Sequence, residues 1–457
     1  MLSRQAPAIL NILTRGPVAA LDLAQALNIH QSNVSRTLKP LERSGQVVRL
    51  LGRTRGARYG LARNVGTVGS SWPLYKIDPQ GAASELGTLH AIAPEHFVVR
   101  GGPARIEGLT QGIPYFLQDA RPAGFLGRAI PQAYPELALP ARVQDWSDDH
   151  ALIFLTQRGS DTVGNLILGT ESVDRYLSGA HGSRIVPSEA RAAQYPAIAQ
   201  AAMFGALPGS SAHGENPKFS AGIVRGDQTT HVLVKFSPPS DTALGARWAD
   251  LLIAEFIASK VLMENGISAA RSEVFEFAGQ VFLESERFDR LGAEGRRGVV
   301  SLHSLDAARY GKLDRWSLSA QRLHAEELLS AQDLERVSLV DAFGSLIANT
   351  DRHFGNITLF DDREGPFELA PIYDMLPMLF APQDGQLLER PFEPAGATAA
   401  TLSVWPRARD LAESYWLRLC EESRLSEEFR RRCQDCLGAV RKLSPRSSSI
   451  RTREFSE

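Results

Sequence analysis

A chain of 457 residues, 43% hydrophobic and 22% charged, has the make-up of a globular protein of about three domains and excludes a disordered or low-complexity one. No apolar run approaches the ~18 residues that cross a bilayer, and Met1-Leu2-Ser3-Arg4-Gln5 leads into a helical pattern without a signal-peptide core, so a cytoplasmic protein with no membrane partner is expected. The formal charge of −2 conceals an asymmetry: ten Lys and Arg stand against two Asp and Glu through Arg63, leaving forty against fifty beyond it.

In that basic head, apolar spacing predicts helices over 6–15, 20–27 and 31–44, the last two forming a helix-turn-helix with Asn28 and Ile29 in the turn. Val34, Leu38 and Leu41 would pack the third helix inward. Its outer face would offer Gln31, Ser32, Asn33, Ser35, Arg36 and Lys39 to base edges and phosphates. After Gly45, residues 46–51 and 57–61 predict a hairpin, its tip at 52–56 bearing Arg53 and Arg55 with Arg58 just beyond. A winged helix with a basic face fits DNA, because phosphate neutralisation supplies most non-specific affinity. The competing view is a protein-docking module with solvated arginines. Winged helices that bind palindromes work as pairs, so a homodimer is expected.

Between about 71 and 185, short strand-like runs such as Phe97-Val98-Val99-Arg100 and Leu152-Ile153-Phe154-Leu155 alternate with Gly/Pro turns, and no chemical motif stands out. Residues 209–218 then bring small side chains that would let backbone N–H groups approach phosphate oxygens, with Ser211, Gly214 and Lys218 as candidates. The stretch matches neither a Walker A sequence nor G-x-G-x-x-G, and by itself is a surface loop. His231-Val232-Leu233-Val234-Lys235-Phe236 predicts a strand presenting Lys235, where kinases place the amine that meets ATP phosphates. A lone strand-end lysine ordinarily keeps its head in water. Glu255, on a helix predicted over 249–263, is a candidate to position Lys235 or else a solvated helix glutamate.

Val337, Leu339, Val340, Phe343, Leu346 and Ile347 recur at helical spacing and deliver Asn349-Thr350-Asp351-Arg352-His353-Phe354-Gly355-Asn356 at a helix end. The interval from Asp351 to Asn356 is the D-x-x-x-x-N of kinase catalytic loops. There the aspartate accepts the substrate hydroxyl proton and the asparagine holds metal. Ile357-Thr358-Leu359-Phe360 and Phe367-Glu368-Leu369-Ala370 predict a hairpin leading to Tyr373-Asp374, which makes Asp374 the second metal ligand. The competing view is that Asn349, Asp351 and Asn356 only cap turns. Cys420, Cys433 and Cys436 form no disulfide framework; Cys433 and Cys436 are expected one turn apart in a buried helix, with zinc or redox chemistry as the alternative. The Ser/Arg-rich tail from Ser444 is expected to fray.

The ordered set of Ser211 to Lys218, Lys235, Arg287-Phe288-Asp289-Arg290, Asn349 to Asn356 and Tyr373-Asp374 resembles the HipA family of serine/threonine kinase toxins over roughly residues 65–445. Asn216 stands where that family usually has Gln. Asp161-Thr162-Val163-Gly164-Asn165-Leu166 and Pro114-Tyr115-Phe116-Leu117 resemble its amino-terminal subdomain. The resemblance implies ATP and Mg²⁺ as cofactors, Asp351 as base, Asn356 and Asp374 as metal ligands, and Lys235, Glu255, Gly214, Lys218 and His353 about the nucleotide. It also implies Ser211 as an autophosphorylation site that switches the enzyme off. Implied partners are a HipB-like antitoxin, the operator DNA and a protein substrate such as a tRNA-charging enzyme. The fused amino-terminal module resembles the YjjJ-like branch.

The expected fold is multidomain α+β: a winged helix-turn-helix at 1–64, a β-rich subdomain at 65–185, a nucleotide-binding lobe at 186–292, a helical catalytic lobe at 293–445 and a flexible tail at 446–457. The expected function is a toxin kinase that regulates its own transcription. The alternative is a winged-helix regulator whose kinase-like body senses a ligand or nucleotide; the D-x-G-x-T motif of sugar-kinase repressors is absent.

Overall fold

The computed structural model describes residues 4–50, 57–179, 184–204, 216–362 and 365–443. The chain forms two compact units, the first holding most of residues 1–182 and the second mainly 183–207 and 213–457.

The first unit begins with helices Ala6–Leu13, Ala20–Ala26 and Gln31–Arg43, each within two residues of its expected range. Asn28 takes a left-handed φ of 51° in the turn before the third helix. Ile9, Leu13, Leu23, Val34, Leu38 and Leu41 close one core against an antiparallel sheet in which Arg58–Leu61 lies between Val18–Ala19 and Val47–Arg49. The expected tip, with Arg53 and Arg55, lies outside the described residues.

A second, five-stranded antiparallel sheet follows, in the order Gly108–Gln111, His96–Arg100, Ala83–Ile92, Ser71–Ile77, Leu166–Leu168. The two sheets are joined without slack. Ala93 N–H donates to Leu61 O and Arg63 N–H to Ala91 O, each at 2.9 Å. The Arg63 guanidinium grips both oxygens of Asp149 at 2.5 and 2.9 Å. Gly60 lies so close to Ile92 that a Cβ there would fall 2.3 Å from its Cγ2.

One expected element changes type. Leu152-Ile153-Phe154-Leu155, taken as strand-like, lies inside helix Asp148–Arg158. A short run that is apolar throughout fits a buried helix as well as a strand, and the cap decides. Ser147 and His150 form a reciprocal capping box, with Asp148 and Asp149 in the first turn facing the positive end of the helix dipole.

In the second unit a five-stranded sheet runs Ser272–Phe277, Gln280–Glu286, Gln228–Phe236, Lys218–Arg225, Ile185–Pro187, parallel only at its last pair. Alternation along the strands sends Phe219, Ile223, Val232, Val234 and Phe282 into a core with Tyr195 and Ile198 of helix Arg191–Met203. Lys218 and Lys235 are cross-strand partners, and Lys235 meets helix Ala243–Glu264. The helical lobe is built on Ala331–Leu346, Trp405–Glu421 and Glu427–Arg441, which bury Phe343, Tyr415, Trp416 and Phe429. Cys433 and Cys436 lie buried and free in the last of these helices; burial pushes the Cys436 thiol up to about 12. Among the described residues no helix is long and apolar enough to cross a membrane. The expected frayed tail lies outside them.

Candidate active site

Lys235 is the centre of the site. Only 5% exposed, it donates to both carboxylate oxygens of Glu255 at 2.7 Å and to Oδ1 of Asp374. Glu255 reaches it from helix Ala243–Glu264, which starts six residues ahead of the expected 249 because Thr242 accepts the Gly245 N–H at 3.0 Å. Gly245 is obligatory there: a Cβ would lie 1.8 Å from the Pro239 carbonyl oxygen. The solvated alternatives for Lys235 and Glu255 therefore give way to a buried ion pair.

Burial alone would push the Lys235 pKa down. Asp374 and Glu255 outweigh it and hold the ammonium well above its ordinary range. Burial raises Glu255. It also pushes on Asp374, but Lys235 and Lys218 prevail and keep that carboxyl below the usual range. Lys218, 3% exposed, has no such surplus: burial, with Lys235 beside it, brings its pKa down to about 8.

The loop after helix Ala331–Leu346 is held from several sides. Buried Asn349 spans two segments with one amide: Oδ1 accepts the Asp351 N–H at 3.0 Å, and Nδ2 donates to the Asp374 carbonyl at 3.1 Å. Asp374 has a left-handed φ of 55°, a strained state for a non-glycine residue that the Asn349 bond helps to fix. Asn356 Nδ2 donates to the Asp351 carbonyl at 2.9 Å. Arg352 donates to the Asn349 carbonyl and stands 3.7 Å from Asp341, its stem lying where a Gly344 Cβ would come within 2.6 Å. Trp316 Nε1 donates to the His353 carbonyl at 3.1 Å, and Tyr373 Oη to that of Gly355 at 2.7 Å. Phe288 of the Arg-Phe-Asp-Arg segment sits 5.8 Å from the rings of Phe360 and Tyr373.

Asp351 is exposed at the mouth of this arrangement, its carboxyl raised by partial desolvation and by Asp374 against the pull of His353 and the lysines. The cluster offers an accessible carboxylate beside two buried ammonium groups, a setting suited to orienting a hydroxyl against an anionic phosphoryl group. Among the described residues no three His, Cys, Asp or Glu side chains gather as a metal cage. Asp374 and the Asn356 amide oxygen are hard donors of the kind Mg²⁺ takes sparingly, filling its other positions with water and phosphate oxygens. The donor set fits that ion.

The structure thus brings together Lys218, Lys235, Glu255, Asp351, His353, Asn356 and Asp374; Ser211 and Gly214 lie outside the described residues. In the first unit Ser32, Ser35, Arg36, Lys39 and Arg58 are exposed, and Gln31 and Asn33 half-buried. Ser32 Oγ bonds His30 Nδ1 at 2.8 Å, and Arg58 donates to the Pro17 carbonyl at 2.8 Å.

Residues 68–177 match the family model for the YjjJ-like toxin middle domain, and residues 210–443 that for the HipA-like C-terminal domain. Toxin YjjJ of Escherichia coli (strain K12) is 34% identical over 436 residues, 95% of this chain and 97% of that protein. The chain belongs to the HipA-like toxin family, in its YjjJ-like branch. HipA of Shewanella oneidensis MR-1, solved with HipB and its operator DNA, superposes with a TM-score of 0.52 at 16% identity, over 81% of this chain and 96% of that one. The Helicobacter pylori proinflammatory kinase CtkA aligns at a TM-score of 0.35 and 13% identity, over 50% and 87%. The chain is therefore a multidomain α+β protein of HipA-like fold.

In this HipA-like chain Trp316 and Asp341 were not singled out from sequence, and Asn349 and Tyr373 were named only as parts of motifs, without the roles they play here. Asn349 bridges both acid segments, while Trp316, Asp341 and Tyr373 brace the catalytic-type loop. Lys218 was placed in a loop, although Phe219, Ala221 and Ile223 alternate with polar or small residues at strand period and could have shown that it opens a strand.

Proposed function

We propose that this HipA-like toxin is a serine/threonine protein kinase that transfers the γ-phosphoryl group of ATP to a protein serine. The observation that carries the reading is the buried Lys235, bonded to both Glu255 and Asp374 and set beside the Asn349-to-Asn356 loop. Asp351 orients the serine hydroxyl and takes its proton as Oγ bonds to the γ-phosphorus and ADP departs. Lys235, fixed by Glu255, and Lys218 meet the triphosphate. Asn356 and Asp374 would hold Mg²⁺, which when bound neutralises charge on the phosphate oxygens. Ser211 is the proposed site of autophosphorylation.

The three helices and three strands of residues 6–61 are, on this reading, a winged helix-turn-helix that binds operator DNA through Gln31, Ser32, Asn33, Ser35, Arg36, Lys39, Arg53, Arg55 and Arg58. Beyond it the proposed divisions are 65–185, 186–292 and 293–445. A HipB-like antitoxin, a tRNA-charging enzyme as substrate and a homodimer complete the proposal.

The test is incubation with γ-labelled ATP and Mg²⁺ beside Asp351→Ala and Ser211→Ala. Label on wild type should map to Ser211, disappear in Ser211→Ala and fall ~10²–10⁴-fold in Asp351→Ala. No label on unphosphorylated wild type would end the kinase reading. Joint neutralisation of Arg53, Arg55 and Arg58 should weaken DNA binding and flatten its salt slope; an unchanged slope would return them to solvated arginines.

A further inference from the structure

We propose that the exposed loop 311–315, between helices Leu302–Arg309 and Trp316–Ala325, binds an acidic segment of the protein substrate beside the phosphoacceptor, with Lys312 and Arg315 as its cationic contacts. The inference rests on the kinase reading above and names a substrate class for it.

Exposed cations are usually only solvated. Three observations set these apart. The loop is held in shape: Asp306, 1% exposed, accepts the N–H groups of Lys312 at 3.1 Å and Leu313 at 2.9 Å. Leu313 is thereby kept at a left-handed φ of 43° with 40% of its surface open to solvent, strain of a kind that gathers at ligand contacts.

The charge is also sorted. Asp314 is the loop's acid, and Arg322 takes its two oxygens at 2.7 and 2.9 Å, which holds that carboxyl down to about 2. The backbone N–H groups of Lys312 and Arg315 are taken by Asp306 and Asp314, but among the described residues no ion pair or hydrogen bond engages the Lys312 ammonium or the Arg315 guanidinium, so the two cations set the loop's field.

Finally, the loop adjoins the reacting end of the site. Trp316, next after Arg315, bonds the carbonyl of His353, two residues from Asp351. The field of Arg315 reaches Arg352, which burial pushes down against the pull of Asp341, with Arg315 adding to the burial. A chain whose serine lies over Asp351 would carry its flanking carboxylates past Arg315 and Lys312, with Leu313 offering apolar contact.

The test uses the full chain and two fluorescein-labelled peptides with one central serine, one flanked by Glu and Leu, the other by Lys and Leu. Anisotropy should show the acidic peptide binding wild type about tenfold tighter, the scale that two exposed charge contacts supply. Lys312→Glu combined with Arg315→Glu should lose or invert that order at an unchanged melting temperature. Wild-type preference for the basic peptide, an acidic preference that survives in the double variant, or displacement by an oligouridylate that binds only when the two cations are present would each overturn the assignment. Phosphate transfer followed in the same mixtures keeps the two readings apart. Acidic-peptide binding lost in the double variant supports the loop even without transfer, and absent transfer then removes the kinase reading alone.

Discussion

Each five-stranded sheet draws a basic side chain out of water, His90 in part and Lys235 almost wholly, and the two end in opposite states. His90, in strand Ala83–Ile92, has burial and Arg100 acting in the same direction, and its pKa falls to about 4. Lys235, in strand Gln228–Phe236, is more deeply buried, yet carboxylates from a helix 20 residues on and from a segment 139 residues on keep it charged. A sheet can retain an internal charge only where other elements bring it countercharges; otherwise the group sheds its proton and behaves as packing. The first sheet accordingly packs as a scaffold, with Leu74, Leu89 and Phe97 against Leu152 of helix Asp148–Arg158, and the second holds the buried charges of the candidate site.

The sharpest way to break this contrast is to remove a countercharge. Glu255→Ala leaves Lys235 with Asp374 alone and should cost about 3 kcal/mol in urea unfolding, the lower end for a buried pair deprived of one partner. A cost below about 1 kcal/mol would mean that the buried lysine never depended on its helix partner.

Legibility in the sequence follows the same division. Asp351, Asn356, Asp374 and Lys235 were visible because each lies in a short motif whose spacing has a chemical reason. The braces were not, because Trp316 to His353 and Asn349 to Asp374 are contacts between segments 37 and 25 residues apart, which no local pattern encodes. Helix Asp148–Arg158 was misjudged for the converse reason: Leu152 to Leu155 is apolar on every side, and the deciding Ser147–His150 cap is a pairing that composition does not flag. Helix starts such as Ala243 depended on a threonine cap upstream of the apolar pattern.

A smaller effect should appear at Lys218, midway between the two extremes. Its folded pKa of about 8 lies below the ordinary 10.5. Between these values the unfolded chain binds more protons, so stability rises with pH there while the ammonium available to a triphosphate is lost. Nucleotide affinity should therefore fall from pH 7 to 9 as the melting temperature holds or rises, and Lys218→Met should flatten both trends. Nucleotide titrations and melting curves at pH 7, 8 and 9 measure them; affinity unchanged over that span would place Lys218 outside the phosphate contacts.

The smallest change is expected at His90. Its folded pKa lies below the ordinary 6.5, so stability is lost as acid protonates the unfolded chain first, from about 6.5 down to about 4. His90→Leu should lose less stability between pH 7 and pH 5 than wild type. Parallel losses would show that His90 titrates freely, and the contrast between the sheets would narrow to their carboxylates.

The junction at residues 60–63 has a mechanical consequence. With backbone bonds on either side of Ile92, a two-toothed Arg63–Asp149 clamp and no room for a side chain at Gly60, the amino-terminal helices are joined to the first five-stranded sheet as a lever and not as a tether. A tether would let its head search many orientations and dilute each. A lever fixes one, so whatever surface grips Arg36 and Lys39 also sets the heading of the strands from Ser71 to Gln111.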